Sequence, residues 1–175
     1  MKHSLFCILL FLTVNSAFCQ ASQDVFDIAR NGTVEQAKAI INANPNAFKT
    51  VNSDGFSPLT LACYRGNNEV AKLLIETGCD INQKSSMGTP LMASVVKGNV
   101  EMVTLLLNKK AEVNTADNNG TTALLYATIF KNKTIASLLI KSNANPEMKD
   151  NRGNSAIDYA ILANDDELIE ILKNK

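Results

Sequence analysis

Few side chains in this sequence could catalyse a reaction or hold a metal ion. The single histidine is His3, which lies in an N-terminal segment with the pattern of a cleaved signal peptide. After cleavage, Ser-His and Cys-His mechanisms would have no general base. The later part of the chain keeps two cysteines, Cys63 and Cys79, and three adjacent acids at positions 165–167. Acids at the start of a helix cap it and complement its dipole, which accounts for that cluster without a metal ion. We therefore predict no catalytic residue, no metal site and no cofactor.

Residues 1–19 have the pattern of a secretory signal peptide. A basic start, MKHS, precedes an apolar run from Leu5 to Val14, and small residues follow that run. The run is about half the length of the roughly 20 residues that a membrane-spanning helix needs. Cleavage after Cys19 and cleavage after Ala21 both fit the pattern. The mature chain is then expected to be exported, periplasmic or secreted, with no membrane segment and no histidine.

The cysteines Cys63 and Cys79 leave two alternatives open. Disulfides persist in the compartments that exported proteins reach, so the two residues could form one. Free cysteine also behaves as a small apolar residue, so both could instead fill buried positions as thiols.

The charge balance limits the kinds of partner. The whole chain has a formal net charge of zero, and removing Lys2 with the signal peptide leaves a small negative charge. Binding to nucleic acid needs a strongly basic face, so we expect no nucleic acid partner. We also expect a monomer.

The short basic start and the lysine-rich composition favour a bacterial source, while three N-x-T sequons would matter in a eukaryotic one.

A repeated pattern organises most of the chain. Equivalent positions hold Pro58, Pro90, Ala123 and Ala156, which lie 32, 33 and 33 residues apart. A fixed period of this size is typical of solenoids, in which each unit is one supersecondary element stacked on its neighbours. A hydroxyl residue precedes each of these four positions and predicts the N-cap of a first helix.

Each unit is predicted to contain a second helix that follows the first after a tight turn. A left-handed residue should end the first helix, and Lys131 should cost about 1 kcal/mol in that conformation. The next residue is Asn or Asp, a strong N-cap, and apolar residues at i, i+3, i+4 spacing then give the second helix one buried face. The left-handed positions are Gly66, Gly98, Lys131 and Asn164, and the predicted caps are Asn67, Asn99, Asn132 and Asp165.

The segments between units predict hairpin turns. They are polar and rich in Asn, Asp and Gly, the residues that tight turns favour. The junction NQKSSMGTP is one residue shorter than the others, so its turn is expected to have a different geometry.

These units resemble the ankyrin repeat. The likeness is carried by SPLTLACYRGNNEVAKLLIETGCDIN and TPLMASVVKGNVEMVTLLL, by the final SAIDYA, and by DVFDIARNGTVEQAKAIINANPNAF as a capping repeat. It implies an all-α ankyrin-repeat solenoid of about five stacked helix-turn-helix units with hairpin loops, preceded by the signal peptide. The implied units are an N-terminal capping repeat at 20–52, repeats at 53–84, 85–117 and 118–150, and a C-terminal capping repeat at 151–175.

The sequence departs from the family pattern at one hydrogen-bonding position. The histidine of the family's T-P-L-H motif, which usually ties neighbouring loops together, is replaced in every unit. Its positions hold Thr60, Met92, Leu125 and Asp158.

The resemblance also implies a function. Ankyrin arrays typically bind proteins through a concave face of hairpin tips and first-helix residues, so we expect a non-catalytic adaptor or inhibitor with an unidentified protein partner. Binding to envelope material, or support of an exported enzyme such as one that handles peroxide, is the alternative. Val96 and Ile129 could instead pack between units. The candidate partner-binding residues are Phe56, Tyr64, Arg65, Met87, Val96, Lys97, Asn118, Asn119, Ile129, Phe130 and Arg152.

Overall fold

The computed structural model describes residues 24–85 and 88–173, and within these ranges the chain folds into five consecutive helix pairs. The predicted signal peptide, both cleavage positions and Met87 lie outside the described residues. The first helices are α1 (Val25–Asn31), α3 (Pro58–Arg65), α5 (Pro90–Lys97), α7 (Ala123–Ile129) and α9 (Ala156–Leu162). The second helices are α2 (Val34–Ala43), α4 (Asn68–Glu76), α6 (Val100–Asn108), α8 (Lys133–Lys141) and α10 (Asp166–Lys173).

The predicted hydroxyl caps start the first helices. The Ser57 side chain accepts a hydrogen bond from the backbone N–H of Thr60, and Thr89, Thr122 and Ser155 make the same bond in their units. Each bond satisfies one of the backbone donors that a helix start leaves without a partner. In the first pair, Thr33 forms a complete capping box at the start of α2.

Left-handed residues end the first helices where the repeat predicts them. Gly66 has φ 79° and Gly98 has φ 73°, while Lys131 has φ 54° and Asn164 has φ 48°. Glycine adopts this conformation without a steric cost, whereas the Cβ of lysine is crowded in it. The turn therefore keeps its geometry in the last four units even where the sequence lacks glycine, whereas Gly32 of the first unit is extended, with φ −81°.

The helices form two layers around one continuous apolar core. Each first helix packs on the first helix of the next unit, and the second helices form the other layer. Alanines that are fully buried line the helix contacts and allow the backbones to approach closely. They are Ala62, Ala71, Ala127, Ala136 and Ala160, and large side chains such as Leu59, Leu74, Leu106, Leu139 and Leu168 fill the space between the layers.

The hairpins confirm the expected difference at the short junction. In the full-length turns, Asn52, Asp117 and Asp150 each accept hydrogen bonds from backbone N–H groups two and four residues further on. At the short junction, the backbone groups of Ser85 and Gly88 bond directly to each other. These two backbone bonds span three residues, whereas the full-length turns pair residues four apart, such as Asn52 and Phe56.

Asparagines that follow the second helices link neighbouring loops. The Asn114 side chain accepts from the Asn145 N–H at 2.8 Å and donates to the Asn143 carbonyl at 3.1 Å. The Asn82 side chain accepts from the Glu112 N–H at 2.9 Å. Because these bonds join successive units, the loss of the histidine leaves the loops tied by other side chains.

Cys63 and Cys79 are free thiols in this structure, which does not support the disulfide alternative. Cys63 is fully buried in α3 and its thiol faces Ser94 of α5, whereas Cys79 follows α4 and donates to the Phe48 carbonyl. The two side chains point to different neighbours, so they serve as small apolar residues of the core.

In the described ranges, none of the helices has the length and apolar character to cross a membrane.

Candidate functional site

A groove crosses the first-helix layer at the ends of α3, α5 and α7. It consists of two adjoining hollows, of about 300 Å³ and about 370 Å³, which share Arg30, Tyr64, Arg65 and Val96. We call this surface the groove. The larger of the two is lined in addition by Asn31 and Lys97, and the smaller by Phe56, Thr60, Leu61, Ala93, Tyr126 and Phe130.

The repeat geometry brings these side chains together. Equivalent positions of successive units lie side by side when the units stack, so the last turns of α3, α5 and α7 form one continuous surface. One such set is Leu61, Ala93 and Tyr126, each three residues after the first helical position. Another set lies seven residues after that position, with Arg65 and Lys97 as the last helical residues and Phe130 directly after α7. The groove therefore follows from the stacking itself.

Tyr126 forms an oriented aromatic wall. Its ring stacks on that of Phe130 with a centroid distance of 6.2 Å and an interplanar angle of 10°. Its hydroxyl donates to Asp117 Oδ2 at 2.7 Å. Burial, followed by the Asp117 carboxylate, raises the pKa of Tyr126 to about 12, so the hydroxyl stays a protonated donor at neutral pH.

The charges at the groove are all positive. Arg65 and Lys97 have no ion-pair partner within the described residues, and Arg30 pairs at 2.7 Å with Asp27 of its own helix. The Lys97 side chain crosses to the neighbouring unit, where its Cε would lie 3.0 Å from a Cβ placed on Gly66. Of the residues that the structure describes, no acidic one lines either hollow.

Six of the predicted partner-binding residues line the groove together: Phe56, Tyr64, Arg65, Val96, Lys97 and Phe130. Val96 is half-buried in the groove wall. Ile129 is 43% exposed on the neighbouring surface, which does not support the alternative that it packs between units. Asn118, Asn119 and Arg152 lie at hairpin tips away from the groove, and Met87 is outside the described residues. A binding role for all of them stays a prediction.

The hairpin-tip asparagines have a structural contact. The Asn151 side chain donates to the Asn118 carbonyl at 3.0 Å, and the Asn151 N–H donates to the Asn119 carbonyl at 2.9 Å. The main chains of these two predicted residues thus hold adjacent hairpins together, while their side chains remain exposed.

Sequence reasoning missed Arg30 and Tyr126. If Gly32 is aligned with Gly66, Arg30 takes the position of Tyr64, so including the same first-helix position of the capping unit among the candidates would have found it. Tyr126 lies one helical turn before Phe130, and an aromatic pair at i, i+4 spacing shares one helix face. Both signals were present in the sequence.

The acids at 165–167 act as helix-start and ion-pair residues. Asp165 accepts from the Leu168 N–H at 3.1 Å, as predicted for a cap, and Lys133 contacts both Asp165 and Glu167. The Lys133–Glu167 pair is exposed, and exposed ion pairs contribute little to stability. In the part of the chain that the structure describes, no three His, Cys, Asp or Glu residues are grouped so that they could hold a metal ion.

Stacked helix pairs with an exposed groove across one layer define a repeat protein of the kind that presents a binding surface. A family model for ankyrin repeats (3 copies) matches residues 25–117 and 111–175, so the chain belongs to the ankyrin repeat family. Ankyrin repeats are protein interaction modules, and the resemblance found in the sequence is confirmed.

Similar proteins share the repeat segment only. E3 ubiquitin-protein ligase XBAT33 of Arabidopsis thaliana is 38% identical over 81 residues, which are 45% of this chain and 16% of the ligase. Protein phosphatase 1 regulatory subunit 27 of Mus musculus is 38% identical over 66 residues, which are 37% of this chain and 43% of that protein. The chain therefore matches less than half the length of either relative.

Proposed function

We propose that this chain is a non-catalytic adaptor or inhibitor that binds a partner protein in the groove. The observation that carries the proposal is the exposure of large aromatic residues beside Arg65 and Lys97, which have no ion-pair partner in the described part of the chain. Tyr64 is 46% exposed and Phe130 is 54% exposed, and neither is needed by the core of its unit. Aromatic residues and arginine dominate the energetic centres of protein interfaces, and exposed apolar patches mark such interfaces.

The similar proteins support a binding role for the shared segment. One carries the name of a regulatory subunit of protein phosphatase 1 and another that of a ubiquitin ligase, and both match this chain within ankyrin repeats. Two proteins with such different names share the repeat array, which favours recognition as its role. Fold alone does not identify the partner, so the test must start from the groove.

The binding test is affinity capture with the tagged chain and a groove variant. In the variant, Phe56, Tyr64 and Phe130 are replaced by alanine together. A matched control also uses alanine, in place of Val51 and Val100, which are 46% and 39% exposed and do not line the groove. We expect the wild type and the control to retain the same partner and the groove variant to lose it.

Circular dichroism and thermal unfolding must show that the groove variant is folded. Equal retention of the partner by a folded groove variant would show that the partner binds elsewhere. Retention of purified envelope material by the wild type, with no protein partner, would favour the alternative role of surface binding.

We also propose that the chain acts after export, in the periplasm or as a secreted protein of a bacterium. The support is the pattern of residues 1–19, a basic start followed by an apolar run and small residues. Mass spectrometry of the protein from its native source should find an N-terminus at Gln20 or Ser22. A mature protein that still begins at Met1 would contradict the proposal, and a variant without residues 5–14 should remain unprocessed.

A further inference from the structure

We propose that the occupant of the groove is an extended peptide segment in which an aromatic or large aliphatic side chain is flanked by acidic residues. The inference rests on the proposed binding function and adds the chemistry of the partner. Three features of the groove carry it: an apolar hollow, the cations Arg65 and Lys97 with no ion-pair partner among the described residues, and a lining that crosses four units.

The apolar hollow has room for a side chain of the partner. Leu61, Ala93 and Tyr126 occupy equivalent positions in successive units, so the small Ala93 leaves space between two larger neighbours. Phe56 and Phe130 complete the apolar lining of this hollow, whose volume is about 300 Å³. That volume is at the lower end of the range of roughly 300–1,000 Å³ found for ligand sites, and an apolar side chain gains most by filling it.

The cations select the residues that flank this side chain. Arg65 and Lys97 stand at the rim without an acidic partner in the described part of the chain, and Arg30 joins them from the first unit. Asp117, the carboxylate nearest to the aromatic wall, is buried and accepts hydrogen bonds from Tyr126 and two backbone groups. An acidic segment would therefore meet complementary charge, whereas a basic one would meet repulsion.

The length of the groove favours an extended segment over a small molecule. Its lining begins with Arg30 in the first unit and ends with Phe130 in the fourth. Packed helices lie about 8–10 Å apart, so three steps between units cover roughly 27 Å. An extended chain advances about 3.3 Å per residue, and about eight residues would cross the groove.

The test is selection of peptides from a displayed library of random 12-residue sequences on the tagged full chain as its host processes it. We expect enriched peptides to carry Phe, Tyr, Trp, Leu or Ile with Asp or Glu within a few residues. A synthetic copy of the strongest peptide should bind more weakly as salt is added, because the pairs at the rim are exposed.

Two charge variants and a matched control test whether peptide binding depends on the cations at the rim or only on the shape of the groove. Replacing Arg65 and Lys97 with glutamine should weaken binding of the synthetic peptide by roughly two- to fivefold for each cation. The double replacement with glutamate should weaken it further and shift the selection toward basic peptides. The control replaces Lys38 and Lys141, exposed residues of the second-helix layer, with glutamate and should bind the peptide as the wild type does.

The outcomes separate this inference from the proposed function. Enriched peptides without acids, or acidic peptides that bind the glutamate variant equally well, would overturn the charge assignment and leave the groove as a binding surface. No enriched peptide, combined with capture of a protein that the groove variant loses, would mean that the partner offers a folded surface. Failure of both selection and capture would remove the inference and the proposed function together.

Discussion

The hydroxyl of Tyr126 donates a 2.7 Å hydrogen bond to the buried carboxylate of Asp117, and this bond joins a hairpin to the groove. The other carboxylate oxygen of Asp117 accepts from the backbone N–H groups of Asn119 and Thr121. One acidic side chain therefore fixes both the turn and the direction of an aromatic wall. The last unit repeats the arrangement, with Tyr159 donating to Asp150 at 2.6 Å.

Replacing Tyr126 with phenylalanine should destabilise the protein by about 1–2 kcal/mol, because the buried carboxylate loses a donor. Partner binding should weaken as well, since the ring loses the bond that orients it. Urea unfolding measures the first effect, and titration of the captured partner measures the second. The control is Tyr64→Phe, because the Tyr64 hydroxyl has no hydrogen-bond partner among the described residues. Equal stability of the two variants would contradict a structural role for the Tyr126 bond.

The second tyrosine–aspartate pair predicts a dependence on acid pH. The Tyr159 hydroxyl and the N–H groups of Asn154 and Arg152 hold the pKa of Asp150 below its ordinary value of 3.8. A lowered pKa means that the stabilisation is complete above the ordinary value and is lost as the pH falls through the lower value of the folded state. The stability gap between wild type and Tyr159→Phe should therefore be widest near neutral pH and narrow below about pH 4.

Urea unfolding of both proteins at a series of acid pH values measures this gap. The pKa of Asp150, followed by carboxyl NMR, should rise in the variant because the largest cause of its lowering is gone. A gap that keeps its size through the acid range would show that Tyr159 stabilises the unit through ring packing instead.

The two thiols predict a simple chemical result. Burial raises the pKa of the Cys63 thiol to about 12 and also raises that of Cys79, so neither is a reactive thiolate at neutral pH. Without a reducing agent, the folded mature chain should resist alkylation, and the denatured chain should gain two labels by mass spectrometry. A denatured, unreduced chain without labels would reveal a disulfide. The C63A/C79A variant, which offers no thiol, gives the background.

Much of the fold could be predicted from the sequence because the same capping, turn and apolar residues recur at equivalent positions of each repeat. The period placed Ser57 and Thr122 as caps, and Lys131 was assigned a left-handed conformation only because Gly66 and Gly98 hold the same position. The hydrogen-bond partners of individual side chains at the contacts between units could not be predicted in this way. Their partners come from a neighbouring unit, and the period says which positions are adjacent without saying which atoms bond.

Asn67 shows this limit. It was predicted to cap α4, but its side chain makes no cap bond there. Its amide instead donates to carbonyls of the first unit, at 3.0 Å to Gly32 and 3.3 Å to Ala29. The free carbonyls at the end of α1 compete for the same side chain, and no pattern in the sequence indicates which of the two bonds is stronger. The equivalent Asn132 does cap its helix, by accepting from the Ile135 N–H at 3.0 Å.

This contrast predicts different results for the same substitution at two equivalent sites. Asn67→Asp should destabilise the protein by about 2 kcal/mol, since the carboxylate cannot donate and would face carbonyl oxygens. Asn132→Asp should be nearly neutral, because aspartate is as good a cap as asparagine. Urea unfolding of both variants measures the difference. Equal stabilities would mean that Asn67 acts as an ordinary cap in solution.

The left-handed lysine predicts a stabilising substitution. Lys131 has φ 54°, a conformation in which its Cβ is crowded and which costs about 1–2 kcal/mol in a residue other than glycine. Lys131→Gly removes the crowding but makes the unfolded chain more flexible, which returns part of the gain. We expect a net increase of about 0.5–1 kcal/mol in the free energy of unfolding. Lys131→Ala is the matched control, because it removes the same charge and keeps the Cβ, and it should not stabilise the protein. If both variants gain stability equally, the charge of Lys131 is responsible and its backbone conformation is not strained.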